Sequence, residues 1–307
     1  MDREPEEYSF SRYLAAKAGL DDRSLNRQVR EALAGHFRER GKPSPFRVLE
    51  VGCGIGTMLE RLLDWGLLDL SLGDFAYTGI DLEAGLLDEA RVRYHNYVAV
   101  RGAAPGRQGP RPLAQIAVTF EAIDLFRFLA REQDRRRWDL IVAHAFLDLV
   151  DLETTLPGLL SLLDPGGCFY FTLNFDGATI FEPVIDPELD RLIEARYHHS
   201  MDQRRVRGRP SGSSQTGRRL FAQLAAAGGT VLAAGASDWL IFPGPDGYPG
   251  DEAYFLRFIL HTVQQALQGD FLLPAADFQD WLAHRRQQLE QRELVYRTRQ
   301  LDFFGHV

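Results

Sequence analysis

Residues 46–57 read FRVLEVGCGIGT: a short apolar run is followed by three glycines, each separated from the next by one residue. The run from Phe46 to Val51 has the length and apolar content of a buried strand. The residues after the last glycine, Thr57–Trp65, have a helical pattern. Glycine suits the turn between them because it allows positive φ and lets the backbone approach a ligand closely. The stretch therefore predicts a strand, a glycine turn and a helix in succession.

The alternation of strands and helices continues from this turn to Phe175. Five strands are predicted, at Phe46–Val51, Tyr77–Ile80, Ile116–Ala122, Trp138–Ala143 and Cys168–Phe175. Four helices are predicted between them, at Thr57–Trp65, Glu83–Tyr97, Leu125–Arg135 and Leu152–Leu163, and residues 100–112 predict a loop. Repeated βαβ units favour an α/β fold with a mostly parallel sheet and helices on both faces.

The segments on either side of this region are less regular. Residues 6–39 predict one or two helices, with Asp21 and Asp22 as candidates to cap the second, and residues 41–45 predict a turn. Further helices are predicted at 186–198, 215–227, 251–267 and 276–292, with a strand or bent hairpin at 230–242 and a strand at 294–304. We expect an N-terminal helical extension, 1–45, over the ligand cleft. One domain, 46–307, would follow, with a mobile loop at 198–217 and a helical insertion at 250–292.

The glycine turn separates two classes of ligand. A nicotinamide or flavin fingerprint, G-x-G-x-x-G, needs a glycine where this chain has Thr57, since its third glycine, Gly56, comes one residue early. A carboxylate, Glu50, also precedes the first glycine. A negative charge there disfavours a pyrophosphate at the helix N-terminus and favours a cationic ligand.

The segment from Val48 to Gly56 resembles motif I of class I S-adenosylmethionine-dependent methyltransferases, (V/I)-L-(E/D)-x-G-x-G-x-G, and matches it at every defined position. The resemblance extends over Phe46–Phe175. It implies a three-layer, doubly wound, mostly parallel seven-stranded sheet, with 294–304 as an antiparallel seventh strand between strands five and six. It also implies S-adenosylmethionine as cofactor, with S-adenosylhomocysteine as product. The motif residues implied to contact it are Glu50, Gly52, Cys53, Gly54 and Gly56.

Two acids at the ends of the next strands extend the implied cofactor site. In the family, Asp81 would accept hydrogen bonds from the ribose hydroxyls, next to Leu82. Asp124 would face the adenine amino group, with Leu125 beside the ring. Either acid could instead cap the helix that follows it, a position that aspartate favours. Tyr13, on the N-terminal helices, could contact the sulfonium through a cation–π interaction or simply pack within an amphipathic helix.

The fourth strand ends beside the methionine arm in the family, which implicates Ala143 and His144. The segment 138–147 (WDLIVAHAFL) resembles motif IV, and 163–171 (LDPGGCFYF) resembles the turn into strand five. His144 is the candidate general base, because the pKa of a free histidine lies near neutrality. The alternative is a structural role or a contact with the cofactor.

The candidate substrate residues are Asn174, Tyr197, His198 and Arg204. Six arginines lie between residues 204 and 219, at positions 204, 205, 207, 209, 218 and 219. They could form a lid over an anionic acceptor, since arginine binds carboxylate and phosphate well. They could equally form a solvated mobile loop. No ligand arrangement typical of a metal site is evident around His198 and His199, so we expect no metal.

The composition limits the partners. The chain has 307 residues and a formal net charge of −8, from 35 Lys+Arg and 43 Asp+Glu, which disfavours nucleic acid. Two cysteines are too few for a disulfide framework and predict reduced thiols in a cytoplasmic protein. The N-terminus, MDREPEEYSF, does not resemble a signal peptide, and no apolar run predicts a membrane span. We expect a monomer or homodimer.

The combined patterns predict in-line methyl transfer from S-adenosylmethionine to a small-molecule acceptor, with anionic acceptors among the candidates. Two alternatives remain. An NAD(P)-dependent oxidoreductase would also have a glycine turn and an acid after strand two. A non-catalytic S-adenosylmethionine-binding protein would share the fold and the cofactor site, since neither proves turnover.

Overall fold

The computed structural model describes residues 7–41, 43, 45–68, 75–102, 116–133, 135, 137–206 and 208–307. Several sequence predictions fall partly outside these ranges. They are the start of the N-terminal extension, positions 42 and 44 of the predicted turn, most of the predicted loop 100–112, and Arg207. The boundary between extension and domain at residue 45 stays a prediction.

Within the described residues, eight strands form one sheet. They are β1 (Phe46–Val51), β2 (Phe75–Asp81), β3 (Ile116–Ala122), β4 (Trp138–His144), β5 (Leu163–Glu182), β8 (Thr230–Ala236), β9 (Trp239–Ile241) and β10 (Val295–His306), while β6 (Arg205–Val206) and β7 (Arg209–Pro210) form a separate hairpin. The order is β3-β2-β1-β4-β5-β10-β8, and β9 also pairs with β10.

The directions of the strands confirm the predicted fold class. Strands β1 to β5 pair in parallel, as βαβ units require. The last strand, β10, is antiparallel to both β5 and β8 and lies between them. The sheet has one more strand than expected because the sixth position is divided into β8 and β9.

The division of the sixth strand corrects the prediction of one strand or a bent hairpin at 230–242. Both β8 and β9 pair antiparallel with β10, so they are successive partners of the same strand. Ser237 and Asp238 lie between them and bond to Gln300 of β10: the Ser237 N–H donates to the Gln300 carbonyl (2.9 Å), and Asp238 Oδ1 accepts from the Gln300 N–H (3.2 Å). Strand β5 is also much longer than predicted, because β10 pairs with it from Cys168 to Glu182.

Helices cover both faces of the sheet, and consecutive residues of the inner strands alternate between two cores. Val48 and Val142 belong to the core under the N- and C-terminal helices, whereas Leu49 and Ile141 belong to the other core. The helices are α1 (Phe10–Ala16), α2 (Ala18–Ser24), α3 (Arg27–Arg40), α4 (Thr57–Asp64), α5 (Ala84–Gly102), α6 (Leu125–Glu132), α7 (Leu152–Ser161), α8 (Pro187–Gln203), α9 (Thr216–Ala226), α10 (Glu252–Leu267) and α11 (Ala275–Glu290).

The N-terminal segment forms three helices rather than one or two. Asp21 and Asp22 lie inside α2 and do not cap a helix. The cap of α3 is Asn26, whose side chain accepts a hydrogen bond from the Val29 N–H (3.1 Å). Asp21 is instead buried and bonds to Lys17, so its carboxylate serves a tertiary contact.

The predicted loop at 198–217 is largely structured. Helix α8 continues to Gln203, and the strands Arg205–Val206 and Arg209–Pro210 form the β6–β7 hairpin. The next residues are held by side-chain hydrogen bonds: Ser211 Oγ donates to the Leu149 carbonyl (2.6 Å), and the Ser214 N–H donates to Asp202 (2.7 Å). These parts of the segment therefore have helical, hairpin or hydrogen-bonded structure, and the mobility of the segment stays a prediction.

Candidate functional site

A cavity of about 1240 Å³ opens at the carboxyl ends of β1 to β4, where open α/β sheets bind ligands. The predicted cofactor residues that line it are Tyr13, Glu50, Gly52, Cys53, Gly54, Asp81, Leu82, Asp124, Leu125 and His144. Two predicted residues, Gly56 and Ala143, lie behind this lining: Gly56 begins α4 against Ala90, and Ala143 is fully buried in β4.

Two positions of the glycine turn, Gly52 and Gly54, do not tolerate a side chain. Gly52 and Gly54 have φ angles of 66° and 51°, in the left-handed region that favours glycine. A Cβ atom at Gly52 would stand 2.2 Å from the ring of Phe146, and one at Gly54 would stand 3.0 Å from Leu14. The turn is therefore in close contact with Phe146, which follows β4, and with Leu14 of α1.

Asp81, the last residue of β2, fixes the turn from the neighbouring strand. Its Oδ2 accepts a hydrogen bond from the Gly54 N–H (2.9 Å), and its Oδ1 accepts one from the Glu83 N–H (3.0 Å). Each carboxylate oxygen can accept a further bond. The carboxylate can thus hold the turn and also receive two hydroxyl groups of a ligand.

Asp124 both lines the cavity and caps α6. Its Oδ1 accepts from the N–H groups of Phe126 (3.0 Å) and Arg127 (3.2 Å). Asp124 is therefore a helix cap, which is one of the two roles considered for it from the sequence. It does not compete with ligand binding, because the carboxylate stays at the cavity wall.

Glu50 is buried at the base of the glycine turn and accepts a hydrogen bond from the Tyr77 hydroxyl on β2. Burial in the low-dielectric interior raises the pKa of Glu50 to about 8, although the Tyr77 hydrogen bond opposes this shift. A carboxyl group with this pKa gains from a nearby cation, which would favour its charged form.

Glu50 should make the stability of the cofactor-free protein fall as pH rises. Its folded pKa, about 8, lies above its ordinary value of 4.5, so the folded state binds more protons in that window. Relative to Glu50→Gln, the wild type should lose up to about 1.4 kcal/mol of unfolding free energy per pH unit. Denaturant titrations of both proteins from pH 5 to pH 8 measure this. A constant difference between them would contradict the prediction.

His144 ends β4 and has hydrogen-bond partners at both ring nitrogens. Nδ1 lies 2.8 Å from Thr172 Oγ1, and Nε2 lies 3.1 Å from Oδ2 of Asp21. Asp21 is ionised, because Lys17 lowers its pKa against the effect of burial. The His144 Nε2–H therefore donates to Asp21, and Nδ1 accepts from Thr172. Burial lowers the pKa of His144 to about 4, so the ring is neutral.

These contacts bear on the predicted catalytic role of His144. Neither ring nitrogen has a free lone pair toward the cavity in this arrangement. Acting as a base would require Nδ1 to exchange Thr172 for an acceptor molecule. As folded, the ring links β4 to Asp21 of α2, and this link positions the wall of the cavity.

Two of the four predicted substrate residues line the cavity, and two do not. Tyr197 and Arg204 line the cavity, whereas Asn174 and His198 do not belong to the lining. Asn174 is buried and its Nδ2 donates to the Leu301 carbonyl (2.8 Å). His198 contacts the cavity wall indirectly, 3.0 Å from Oγ1 of Thr179. The Arg204 guanidinium is bonded to two backbone carbonyls, those of Asp148 (3.0 Å) and Ser211 (2.9 Å).

Sequence reasoning missed Asp148, a charged member of the cavity lining. Arg209, one of the six arginines considered as a lid, lies over the Phe126 ring at 4.6 Å from its centroid and connects the β6–β7 hairpin to the cavity edge. A signal existed for Asp148, since an acid in the otherwise apolar run 145–150 follows a strand that ends at the ligand edge.

Three further observations concern the described residues alone. No group of three His, Cys, Asp or Glu side chains there could hold a metal ion. No helix among them is long and apolar enough to span a bilayer. Cys53 and Cys168 are both buried free thiols.

No family model and no curated protein matches this chain. Many solved structures are similar to it, including the following three. Phosphoethanolamine N-methyltransferase 2 of Haemonchus contortus is 14% identical with a TM-score of 0.44, over 98% of this chain and 61% of that one. The YcgJ protein of Bacillus subtilis is 10% identical with a TM-score of 0.44, over 90% and 97%. The cyclopropane synthase MmaA2 of Mycobacterium tuberculosis is 13% identical with a TM-score of 0.41, over 97% and 87%.

The strand order carries the assignment of the fold. Five parallel strands in the order 3-2-1-4-5 continue into an antiparallel last strand, which lies between the fifth strand and its other neighbour, β8. The glycine turn follows the central strand β1, at the edge where the cavity opens. The chain therefore has the fold of class I S-adenosylmethionine-dependent methyltransferases.

Proposed function

We propose that this protein is an S-adenosylmethionine-dependent methyltransferase that acts on a small-molecule acceptor. One observation carries the proposal: carboxylates at the ends of three neighbouring strands surround the glycine turn in a single cavity. They are Glu50, the next-to-last residue of β1, Asp81, the last residue of β2, and Asp124, which follows β3. The fold alone would not identify the reaction.

The charges of this site fit the proposed cofactor. S-adenosylmethionine has an ammonium and a sulfonium group and no phosphate, so a buried carboxyl group beside the turn would stabilise it. A pyrophosphate at this helix N-terminus would disfavour the charged form of Glu50 and would gain no such stabilisation from it. Asp81 is suited to the ribose hydroxyls through its remaining lone pairs, and Asp124 is suited to the adenine amino group.

Apolar neighbours complete the proposed cofactor site. Leu82 and Leu125 line the cavity beside the two acids and would pack on the adenine ring. Tyr13 also lines the cavity, but its ring stacks on Phe258 at 4.3 Å and on Phe255 at 5.3 Å. We therefore expect Tyr13 to shape the cavity through packing and to present its edge or hydroxyl to ligands.

The proposed cofactor supplies an activated methyl group, so the protein chiefly has to align the acceptor with it and exclude water. The α1–α2 helices and α10 contribute to the lining from one side, through Lys17 and Ile259. Arg204 and Arg209 contribute from the α8 end and the β6–β7 hairpin. Because the Arg204 guanidinium already bonds two carbonyls, an anionic acceptor would have to displace them.

Isothermal titration calorimetry with S-adenosylmethionine tests the proposal, and we expect a dissociation constant of about 1–100 μM. Gly54→Asp should abolish binding, because it places a side chain at positive φ and a second carboxylate beside Asp81. Transfer of a labelled methyl group into a metabolite extract tests turnover. The proposal would be refuted if neither the wild type nor Gly54→Asp bound S-adenosylmethionine detectably. Binding of NAD(P) in place of S-adenosylmethionine would favour an oxidoreductase.

A further inference from the structure

Asp148 is an acid of the cavity that the proposed cofactor site does not use. It lies on a short 3-10 helix, Leu147–Leu149, directly after β4. The preceding Phe146 packs against Gly52 of the glycine turn, and both residues line the cavity with Asp148. The acid is therefore close to the turn but outside the three acids assigned to the cofactor.

The Asp148 carboxyl group is poorly compensated by the protein. Its Oδ1 is shielded from solvent and has no hydrogen-bond partner in the part of the chain that the structure describes. Burial raises the pKa of Asp148, while its own backbone N–H, Arg204 and Lys17 act in the opposite direction. A carboxyl oxygen buried without a partner costs free energy, which a proton, or rotation of the carboxyl group toward a hydroxyl group in the cavity, would recover.

The surroundings of Asp148 favour a flat, uncharged acceptor. Burial raises the pKa values of Tyr13 and Tyr197, that of Tyr197 to about 12, and the nearby Asp148 carboxylate makes a smaller contribution in the same direction. Tyr13, Phe146, Phe175, Tyr197, Trp239 and Tyr296 supply aromatic surface to the cavity. Such a lining binds aromatic rings through stacking and edge contacts.

We propose that Asp148 accepts the proton of a phenolic hydroxyl on an aromatic acceptor, which makes this protein a phenol O-methyltransferase; this inference rests on the proposed function. The assignment names the substrate class and gives the role of base to Asp148 instead of His144. Both ring nitrogens of His144 are occupied, whereas Asp148 lacks a partner at Oδ1.

Charge and acidity favour a phenol over an ammonium, a carboxylate or an aliphatic alcohol as acceptor. An ammonium acceptor would lie near two cations already close to Asp148, Lys17 and Arg204. A carboxylate acceptor would be repelled by Asp148 and would need no base. An aliphatic alcohol is too weak an acid for a carboxylate, whereas a phenol has a pKa of about 10. Because burial raises the pKa of the Asp148 carboxyl group, that pKa lies closer to the pKa of a phenol than an ordinary carboxyl group's does. The smaller difference suits general-base catalysis.

The atoms and electrons of the step balance. A lone pair of the hydroxyl oxygen forms the new O–C bond to the methyl carbon. The electron pair of the broken C–S bond stays on sulfur, which becomes a neutral thioether. The hydroxyl proton passes to the Asp148 carboxylate and then to water, and the product is an aryl methyl ether.

The experiment offers three naphthalene probes to the full chain with labelled S-adenosylmethionine: 2-naphthol, 2-(aminomethyl)naphthalene and 2-naphthoate. We expect label in the methyl ether. Asp148→Asn, an isosteric change, should lower kcat/KM for 2-naphthol by about 100-fold or more. In the wild type kcat/KM should rise as Asp148 ionises, and in the variant only as the naphthol itself ionises at higher pH.

Asp186→Asn is the matched control, since Asp186 lies outside the cavity lining and its carboxylate caps α8 through the N–H groups of Glu188 (2.8 Å) and Leu189 (3.0 Å). Asparagine also caps helices, so activity should be unchanged. Label in the amine or the ester, label in none of the probes, or an unchanged pH profile in Asp148→Asn would each overturn the inference. Calorimetry with S-adenosylmethionine distinguishes this from failure of the proposed function, because both variants should bind it like the wild type.

Discussion

Gly52→Ala should lower the affinity for S-adenosylmethionine by roughly 100-fold while the protein still folds. The alanine Cβ would stand 2.2 Å from Cδ2 of Phe146, a distance at which the ring must move. Both residues line the cavity, so the displaced ring takes space from the ligand. The φ angle of 66° adds a local backbone cost of about 1–2 kcal/mol.

Gly66→Ala separates these two contributions. Gly66 has nearly the same φ angle, 68°, and a Cβ there would meet no atom within 4 Å. This variant should lose only the backbone contribution in stability and should bind S-adenosylmethionine like the wild type.

The double variant Gly52→Ala/Phe146→Ala should recover part of the lost affinity, because it removes the ring that the new methyl group displaces. Calorimetry on the four proteins measures these effects, and thermal unfolding confirms that each is folded. Equal affinity in Gly52→Ala and the wild type would show that the ligand does not use this turn.

Local patterns predicted the framework of the sheet well. The bounds of β1 and β3 were predicted from apolar runs, and Asp81 was predicted at the end of β2. The place of β10 between β5 and β8 followed from the resemblance to a known fold, since no local pattern defines strand order. The bounds of the strands follow from the local pattern of apolar residues. The position of Asp81 follows from the edge of the sheet at which parallel strands end.

The interior of the site depends on contacts between residues far apart in the sequence. Asp21 is 123 positions from His144 and 218 positions from Trp239, and both bond to it. From the sequence, Asp21 was assigned as a helix cap because aspartate is common there. Packing of α2 against the ends of β4 and β9 decides its true role, and periodicity contains no information about that packing.

Asp21→Asn should lower the unfolding free energy by about 3–5 kcal/mol, because it removes one charge of a buried ion pair. Asp21 Oδ2 lies 2.5 Å from Lys17 Nζ and 3.1 Å from His144 Nε2, and Oδ1 accepts from Trp239 Nε1 (3.0 Å). Asp21 is 1% exposed and Lys17 is 5% exposed. The substitution keeps the shape of the side chain but leaves the ammonium group buried without its partner.

Two further variants test whether loss of the buried ion pair causes the expected drop in stability. Asp22→Asn changes the neighbouring residue, whose side chain is 61% exposed and bonds Arg61 at 2.6 Å. Arg61 is buried, but it keeps its hydrogen bonds to Thr57 Oγ1 (3.0 Å) and the Ala18 carbonyl (2.9 Å). An asparagine oxygen at position 22 can still accept from Arg61, so Asp22→Asn should lose much less stability than Asp21→Asn. Lys17→Met added to Asp21→Asn should restore most of the stability, since an apolar side chain can replace a buried charge without penalty.

The pH dependence gives an independent test of the same ion pair. The folded pKa of Asp21 lies below its ordinary value of 3.8. The stabilisation is therefore complete above that value and is lost as pH falls below it. The difference in unfolding free energy between the wild type and Asp21→Asn should then be constant near neutrality and shrink in acid. If Asp21→Asn were as stable as Asp22→Asn at pH 7, the Lys17–Asp21–His144 cluster would not hold α2 against the sheet.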